Sequence, residues 1–249
     1  MTDSIRSRLW IHNEAVDAAS GETFDTVNPA TGATLASVAR GSAADIDRAV
    51  ASAREAMASK AWGRMNPHKR SALLWKLADL IEANADELGA LETQDNGKPY
   101  FESRKVDLPS VVENFRYVAG MADKIGGETI PVSGPFLNYT QREPVGVVGI
   151  IVPWNFPLSL AAWKVAPALA CGNAVVLKPA EETPLTAIRL GELAAEAGFP
   201  PGVLNVVPGF GEEAGAALVA HPDVDAIAFT GSTAVGRIVA RSAAETLKK

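Results

Sequence analysis

The sequence predicts an α/β fold: a parallel sheet with helices on both faces, preceded by an N-terminal strand and helix region and a protruding β-hairpin arm. Three observations carry that prediction. From Val145 onward, short β-branched runs alternate four times with segments of helical composition. The first of those runs, Val145 to Val152, is nearly all apolar, the composition of a strand buried on both faces. Punctuation falls where such a chain needs it, with Pro157 and Thr183-Pro184 at helix starts and Gly172 and Gly198 at helix ends.

Taken in order, residues 9–39 read as short strands broken by turns at Ala19-Ser20-Gly21 and Asn28-Pro29-Ala30-Thr31-Gly32. Ser42 with Asp45 forms a helix-starting cap, and Ile46, Ala49, Val50 and Ala53 follow at helical spacing. Asn66-Pro67 opens a second helix with an apolar stripe of Leu73, Leu74, Leu77, Leu80 and Ile81. Asn84 with Glu87 repeats the capping pattern and predicts a short helix towards Gln94, ended by Asn96-Gly97-Lys98-Pro99. A further helix is predicted over Ser110 to Ala122, with Val111, Phe115, Val118 and Ala119 inward. Pattern alone shows no chemistry in residues 40–125.

Gly126-Gly127 marks a change of texture. Glu128 to Val132 and Phe136 to Arg142 read as two extended segments of a hairpin standing off the body. Such an arm either pairs edge to edge with another subunit or is a plain surface hairpin. The divisions expected are therefore 1–125, the N-terminal part of the sheet domain; 126–144, the arm; and 145–249, its core. Within the core the predicted strands are 145–152, 173–178, 203–207 and 225–229. The predicted helices are 157–171, 184–197 and 212–220, with a last one from Ser232. Pro167 lies inside the first of these helices and is expected to kink or shorten it.

Composition limits the partners. With 249 residues and 47% hydrophobic content the chain can bury a sizeable core. A net charge of −6 argues against nucleic acid or an anionic membrane. No apolar run is long enough for a membrane span. Arg6 and Arg8 are followed only by Leu9-Trp10-Ile11, so no secretory leader is read, and a single cysteine excludes an internal disulfide framework. The expected compartment is the cytoplasm. The histidines, His12, His68 and His221, lack metal-ligand spacing, so no metal is expected.

The candidate chemistry lies at the predicted strand ends. Asn155, between Trp154 and Phe156, carries a neutral amide with two donors and could stabilise an oxyanion in a partly dry cleft; it could equally be a turn residue. Lys178 and Glu181 end the second strand, where adenosine ribose hydroxyls are usually gripped, or form an ordinary charge pair. Gly231, Ser232 and Gly236 sit at a helix start that suits a pyrophosphate, although Ser232 could be no more than an N-cap. No Gly-x-Gly-x-x-Gly follows the first strand; Gly209, Gly211 and Gly215 have a different spacing. Cys171, between Ala170 and Gly172, reads as a small buried packing residue.

The ordered set Pro153-Trp154-Asn155-Phe156-Pro157, Gly172-Asn173, Lys178-Pro179, Glu181 to Pro184 and Phe229-Thr230-Gly231-Ser232 resembles the aldehyde dehydrogenase superfamily, whose layout extends over essentially the whole chain. The resemblance implies a Rossmann-like cofactor domain and oxidation of an aldehyde to a carboxylic acid. It implies Asn155 as the amide that stabilises the oxyanion, and Val152 and Trp154 as the wall beside the cofactor. Lys178 and Glu181 would grip the adenosine ribose. Gly211, Gly215, Phe229, Ser232 and Val235 would line the adenine and pyrophosphate, with Gly231 to Gly236 replacing the common fingerprint. Phe156, Ser159, Leu160 and Trp163 would run along the aldehyde tunnel. The cofactor implied is NAD, because Glu181 disfavours the 2′-phosphate of NADP. Residues 126–144 match the family's oligomerisation arm, so a homo-oligomer is expected.

In that family a Glu-Leu-Gly-Gly-Lys segment supplies the general base and a cysteine further on the nucleophile, both beyond the region matching Leu247-Lys248-Lys249. The expectation is thus the cofactor-binding half of an aldehyde dehydrogenase, inactive alone. The alternative is a free-standing dinucleotide-binding or regulatory interaction module.

Overall fold

The computed structural model describes residues 7–249. The leader reading rests partly on Arg6, which lies outside them. The chain opens with β1 (Leu9–Ile11), β2 (Glu14–Val16), β3 (Thr23–Val27) and β4 (Thr34–Ala39). Helices α1 (Ala43–Ala58), α2 (Pro67–Ala83) and α3 (Ala85–Asn96) follow. Next come α4 (Tyr100–Glu102), a π-helical turn (Ser103–Asp107) and α5 (Leu108–Ala119). The arm holds β5 (Thr129–Ile130) and β6 (Asn138–Tyr139). The core then runs β7 (Val147–Ile151), α6 (Pro157–Ala170), β8 (Ala174–Lys178), α7 (Leu185–Ala197) and β9 (Leu204–Val206). It ends with a second π-helical turn (Gly211–Gly215), α8 (Ala216–Ala220), β10 (Ala226–Phe229) and α9 (Thr233–Ala244).

The main sheet has strand order β10-β7-β8-β9-β1-β2. Its four core strands are parallel, and β1 and β2 add an antiparallel edge. Residues 9–16 therefore belong to the same sheet as the core. Alternate side chains of β8 feed two apolar clusters: Val175 and Leu177 pack with α2, α5, α6 and α7, whereas Ala174 and Val176 pack with α1 and α8. That is the period-2 alternation of a strand covered on both faces, and each large side chain so buried contributes about 1.5–3 kcal/mol.

Local signals work as expected at two helix starts. Ser42 donates its N–H and hydroxyl to Asp45 Oδ2, both at 2.9 Å, and Asn66 accepts from the His68 N–H at 2.9 Å. Asn84 stands at the N-cap of α3 as expected, but its side chain makes no cap bond there. Its Nδ2 turns back to the Leu80 carbonyl oxygen at 2.8 Å, closing α2, and its Oδ1, the atom that would cap α3, accepts instead from Arg189 Nη2 at 3.3 Å. The α3 helix runs past Gln94 to Asn96, and α5 starts at Leu108 and ends at Ala119, three residues short of Ala122.

Pro167 neither ends nor shortens α6, which continues to Ala170. The carbonyl deprived of its N–H partner belongs to Trp163, an exposed residue, so the loss falls on the solvent side. The arm pairs only Thr129 with Tyr139 and Ile130 with Asn138, a shorter ladder than the two extended segments predicted.

Candidate cofactor and active site

Register places the site. Ile151 at the end of β7 is level with Lys178 on β8 and with Phe229 on β10. The three loops that follow, carrying Asn155, Glu181 and Ser232, therefore open from the same carboxyl edge of adjacent parallel strands, where ligands of open α/β sheets bind.

Lys178 is buried, yet its Nζ lies 2.8 Å from Glu181 Oε2. The sheet fixes the lysine backbone, and the turn after Pro179 returns the carboxylate to it. Ser232 caps α9: its Oγ accepts from the Val235 N–H at 3.3 Å, and the other N–H groups of a first helical turn have no intrahelical partner. Gly211, Gly215, Phe229 and Val235 come together in one mostly apolar cleft of about 490 Å³ between α8 and α9, with Ile151 at its base. A Cβ at Gly211 would meet nothing within 4 Å, so its absence leaves open space on that wall. A Cβ at Gly231 would come within 2.5 Å of Phe229 Cζ, so glycine lets that ring lie under the start of α9. Gly236 faces the same ring.

A second cleft of about 560 Å³ is bordered by Trp154, Glu181, Phe210 and Asn96. Val152 is not on its wall. The side chain is 2% exposed within the core cluster, because it still follows the inward alternation of β7. Trp154, Asn155 and Phe156 are all exposed, so the amide stands on an open surface of this chain rather than in the partly dry cleft expected. Phe156, Leu160 and Trp163 recur at helical spacing along one side of α6. Ser159, expected beside them, is 6% exposed, and its hydroxyl, turned inward, has no hydrogen-bond partner.

Cys171 is exposed, contrary to the packing role read from its neighbours, because it is the C-terminal cap of α6 and lies outside the last buried turn. Partial burial still pushes its thiol up, with nearby Arg70 pulling the other way. Asn155 precedes the opposite end of that 14-residue helix, so the only thiol lies about 20 Å from the amide.

Sequence reasoning missed the polar groups beneath this edge. Burial pushes the Glu92 carboxyl up to about 7, against Lys98, the Thr186 hydroxyl and the Leu158 N–H, which favour its charged form without closing to hydrogen-bond geometry. Burial likewise lifts Asp95 to about 6, although it accepts from Thr26 Oγ1 at 2.6 Å and the Leu185 N–H at 3.0 Å. Glu92 and Asp95 share the inward face of α3 with Leu88 and Leu91; carboxylates at core positions were the available signal. Among the described residues, no group of three or more His, Cys, Asp or Glu side chains could hold a metal ion. No described helix is long and apolar enough to cross a membrane.

A parallel sheet with an amide, an ion pair and a glycine-lined helix start on one edge defines an α/β architecture suited to a dinucleotide. Comparison with known proteins narrows the class. A model of the aldehyde dehydrogenase family matches residues 15–249. The chain is 56% identical over 234 residues to the mitochondrial aldehyde dehydrogenase of Homo sapiens, covering 94% of this chain and 45% of that protein. It is 54% identical over 240 residues to aldehyde dehydrogenase family 2 member B4, mitochondrial, of Arabidopsis thaliana, covering 96% of this chain and 45% of that protein. A Bacillus cereus aldehyde dehydrogenase solved as an NAD+ complex superposes with a TM-score of 0.96 at 52% identity, over 98% of this chain and 50% of that one. The chain belongs to the aldehyde dehydrogenase family. It spans about half the length of the relatives it matches.

Proposed function

We propose that these residues form the NAD-binding side of an NAD-dependent aldehyde dehydrogenase that oxidises an aldehyde to its carboxylic acid. The observation that carries this reading is the common level of Ile151, Lys178 and Phe229, which opens the Asn155, Glu181 and Ser232 loops on one edge. The NAD+ complex of the similar Bacillus cereus enzyme supports the choice of cofactor.

The residues present fit that cofactor. The apolar cleft at Gly211, Gly215, Phe229 and Val235 suits a flat adenine, and the N-terminus of α9 at Gly231, Ser232 and Gly236 suits a pyrophosphate. Lys178 donates to the ribose hydroxyls while Glu181 accepts, and the Glu181 charge repels a 2′-phosphate, favouring NAD over NADP. NAD, when bound, accepts the hydride. Trp154 flanks the nicotinamide end, with Val152 behind it. Asn155 donates to the oxygen of the aldehyde carbon as negative charge develops there, and Phe156, Leu160 and Trp163 line the aldehyde's approach, with Ser159 beneath.

Residues 1–249 alone bind NAD without oxidising aldehyde in this reading, because their one thiol is a helix length from Asn155. The arm exposes Ile130, Val132, Phe136, Leu137 and Tyr139, which supports self-association through it. The test is Asn155→Ala in a full-length protein containing this sequence. The expected result is a kcat at least tenfold lower, with NAD affinity unchanged by calorimetry. An unchanged kcat contradicts the assignment.

A further inference from the structure

The loop that carries Asn155 is held from below by the turn after α3. Gly97 makes that turn in the left-handed region, at φ 87°, and a Cβ there would come within 2.6 Å of Pro29 Cγ, so its path is fixed by packing. Asn96, just before it, donates its Nδ2 to the Trp154 carbonyl oxygen at 2.6 Å. Lys98, just after it, places its Nζ 4.3 Å from the centroid of the Phe156 ring. The same Nζ lies 2.6 Å from Asp107 Oδ2 and 3.8 Å from Glu92 Oε1, with all three side chains almost fully buried. Asp107 ends the π-helical turn Ser103–Asp107, and Glu92 faces the Leu158 N–H at the start of α6.

The two neighbours of Asn155 are therefore gripped separately, Trp154 through its backbone and Phe156 through its ring. The lysine that grips the ring is itself aimed by the Asp107 carboxylate at 2.6 Å, with the Glu92 carboxyl 3.8 Å away. An oxyanion donor works best when its direction is set before charge develops. We propose that Asn96 and Lys98 are positioning residues that fix the direction of the Asn155 amide. Lys98 acts as a buried cation held by Asp107 against the Phe156 ring. The proposal rests on the oxyanion reading of Asn155 for its functional meaning, but the grip itself does not depend on that reading.

The test uses the chain labelled with 5-fluorotryptophan and observed by fluorine NMR. The chain has five tryptophans, and loss of one resonance in Trp154→Phe assigns the reporter. Trp62, 1% exposed in the core and assigned in the same way, serves as the internal control. The expected result is that Asn96→Ala and Lys98→Met each shift or broaden the Trp154 resonance while Trp62 stays in place, and that Lys98→Arg restores it, since a guanidinium keeps both the charge and the ring contact. In a full-length protein containing this sequence, Asn96→Ala is expected to lower kcat on the order of tenfold to a hundredfold with NAD affinity unchanged. Lys98→Met leaves the buried Asp107 carboxylate without its cation; should it fail to fold, Asn96→Ala, which removes no charge, decides. A Trp154 resonance unmoved by Asn96→Ala overturns the proposal, as does Trp62 moving equally in every variant. A moved Trp154 resonance together with an inert Asn155→Ala counts against the oxyanion reading and leaves the grip standing.

Discussion

Lys178 Nζ lies 2.8 Å from Glu181 Oε2, joining the last residue of β8 to the turn beyond it with the lysine almost wholly buried. The Glu181 side chain is 27% exposed, so while it pairs with the buried ammonium its open side can still accept from a ligand. Lys178→Ala is expected to weaken NAD binding by roughly tenfold to a hundredfold, the range of one charge-assisted hydrogen bond. Glu181→Gln is expected to narrow the preference for NAD over NADP. Calorimetric titrations with both cofactors check the pair, and unchanged constants in both variants remove the ribose assignment.

Gly146 adopts φ 129°, and a Cβ there would sit 2.0 Å from Asp225 Oδ2. That carboxylate accepts from the Val147 N–H at 2.7 Å and pairs with Arg54, so it ties α1 to the starts of β7 and β10. It cannot move aside without losing those partners. Gly146→Ala is expected to destabilise the chain by about 2–4 kcal/mol, combining strained backbone with loss of the part-buried Asp225 contacts. Urea denaturation measures this, and a loss under about 0.5 kcal/mol would be inconsistent with so closed a site.

The two buried carboxyls of α3 set a pH dependence. Glu92 rises from 4.5 to about 7 and Asp95 from 3.8 to about 6, burial being the first cause in both. The folded chain then holds more protons than the unfolded one between about pH 4 and pH 7, so this contribution is full below the unfolded values and declines as pH rises through the folded ones. Thermal midpoints should fall from pH 5 to pH 8, and Glu92→Gln should flatten the slope. Identical slopes in the variant and the parent would show that Glu92 is ionised across the range.

Cys171 offers a negative control. It is exposed at the C-terminus of α6, with its thiol pushed up by partial burial against the pull of Arg70. Maleimide labelling is expected to go to completion, faster at higher pH, and to leave NAD affinity unchanged. Loss of binding on labelling would mean that the C-terminal end of α6 contributes to the cofactor site.

Much of this was legible in residues. The strand, helix and strand from Val145 to Lys178 were readable because β-branched runs, Pro157 and Gly172 all point the same way, and the ends came within two residues. The π-helical turns at Ser103–Asp107 and Gly211–Gly215 were not, since a π turn has no local composition of its own. Asn84 misled only in its side chain, which bonds Leu80 and Arg189 rather than the first turn of α3. The alternation of strands and helices put the candidate loops at the carboxyl ends of strands, but the proposed roles of Lys178, Glu181 and Ser232 came from family resemblance, because spacing alone fits an ion pair or a cap equally well. Asn96 and Lys98 stayed hidden in an ordinary helix-ending turn; only the fold brings Trp154 and Phe156 above them.

We propose that residues 1–249 bind NAD but do not oxidise an aldehyde on their own. Isothermal titration of residues 1–249 with NAD, followed by absorbance at the NADH band after adding an aldehyde, tests both halves. Saturable binding at one site per chain, weakened by Lys178→Ala, with no NADH formed, is the predicted result. A cooperatively folded chain that binds no NAD, or one that forms NADH from aldehyde on its own, contradicts it.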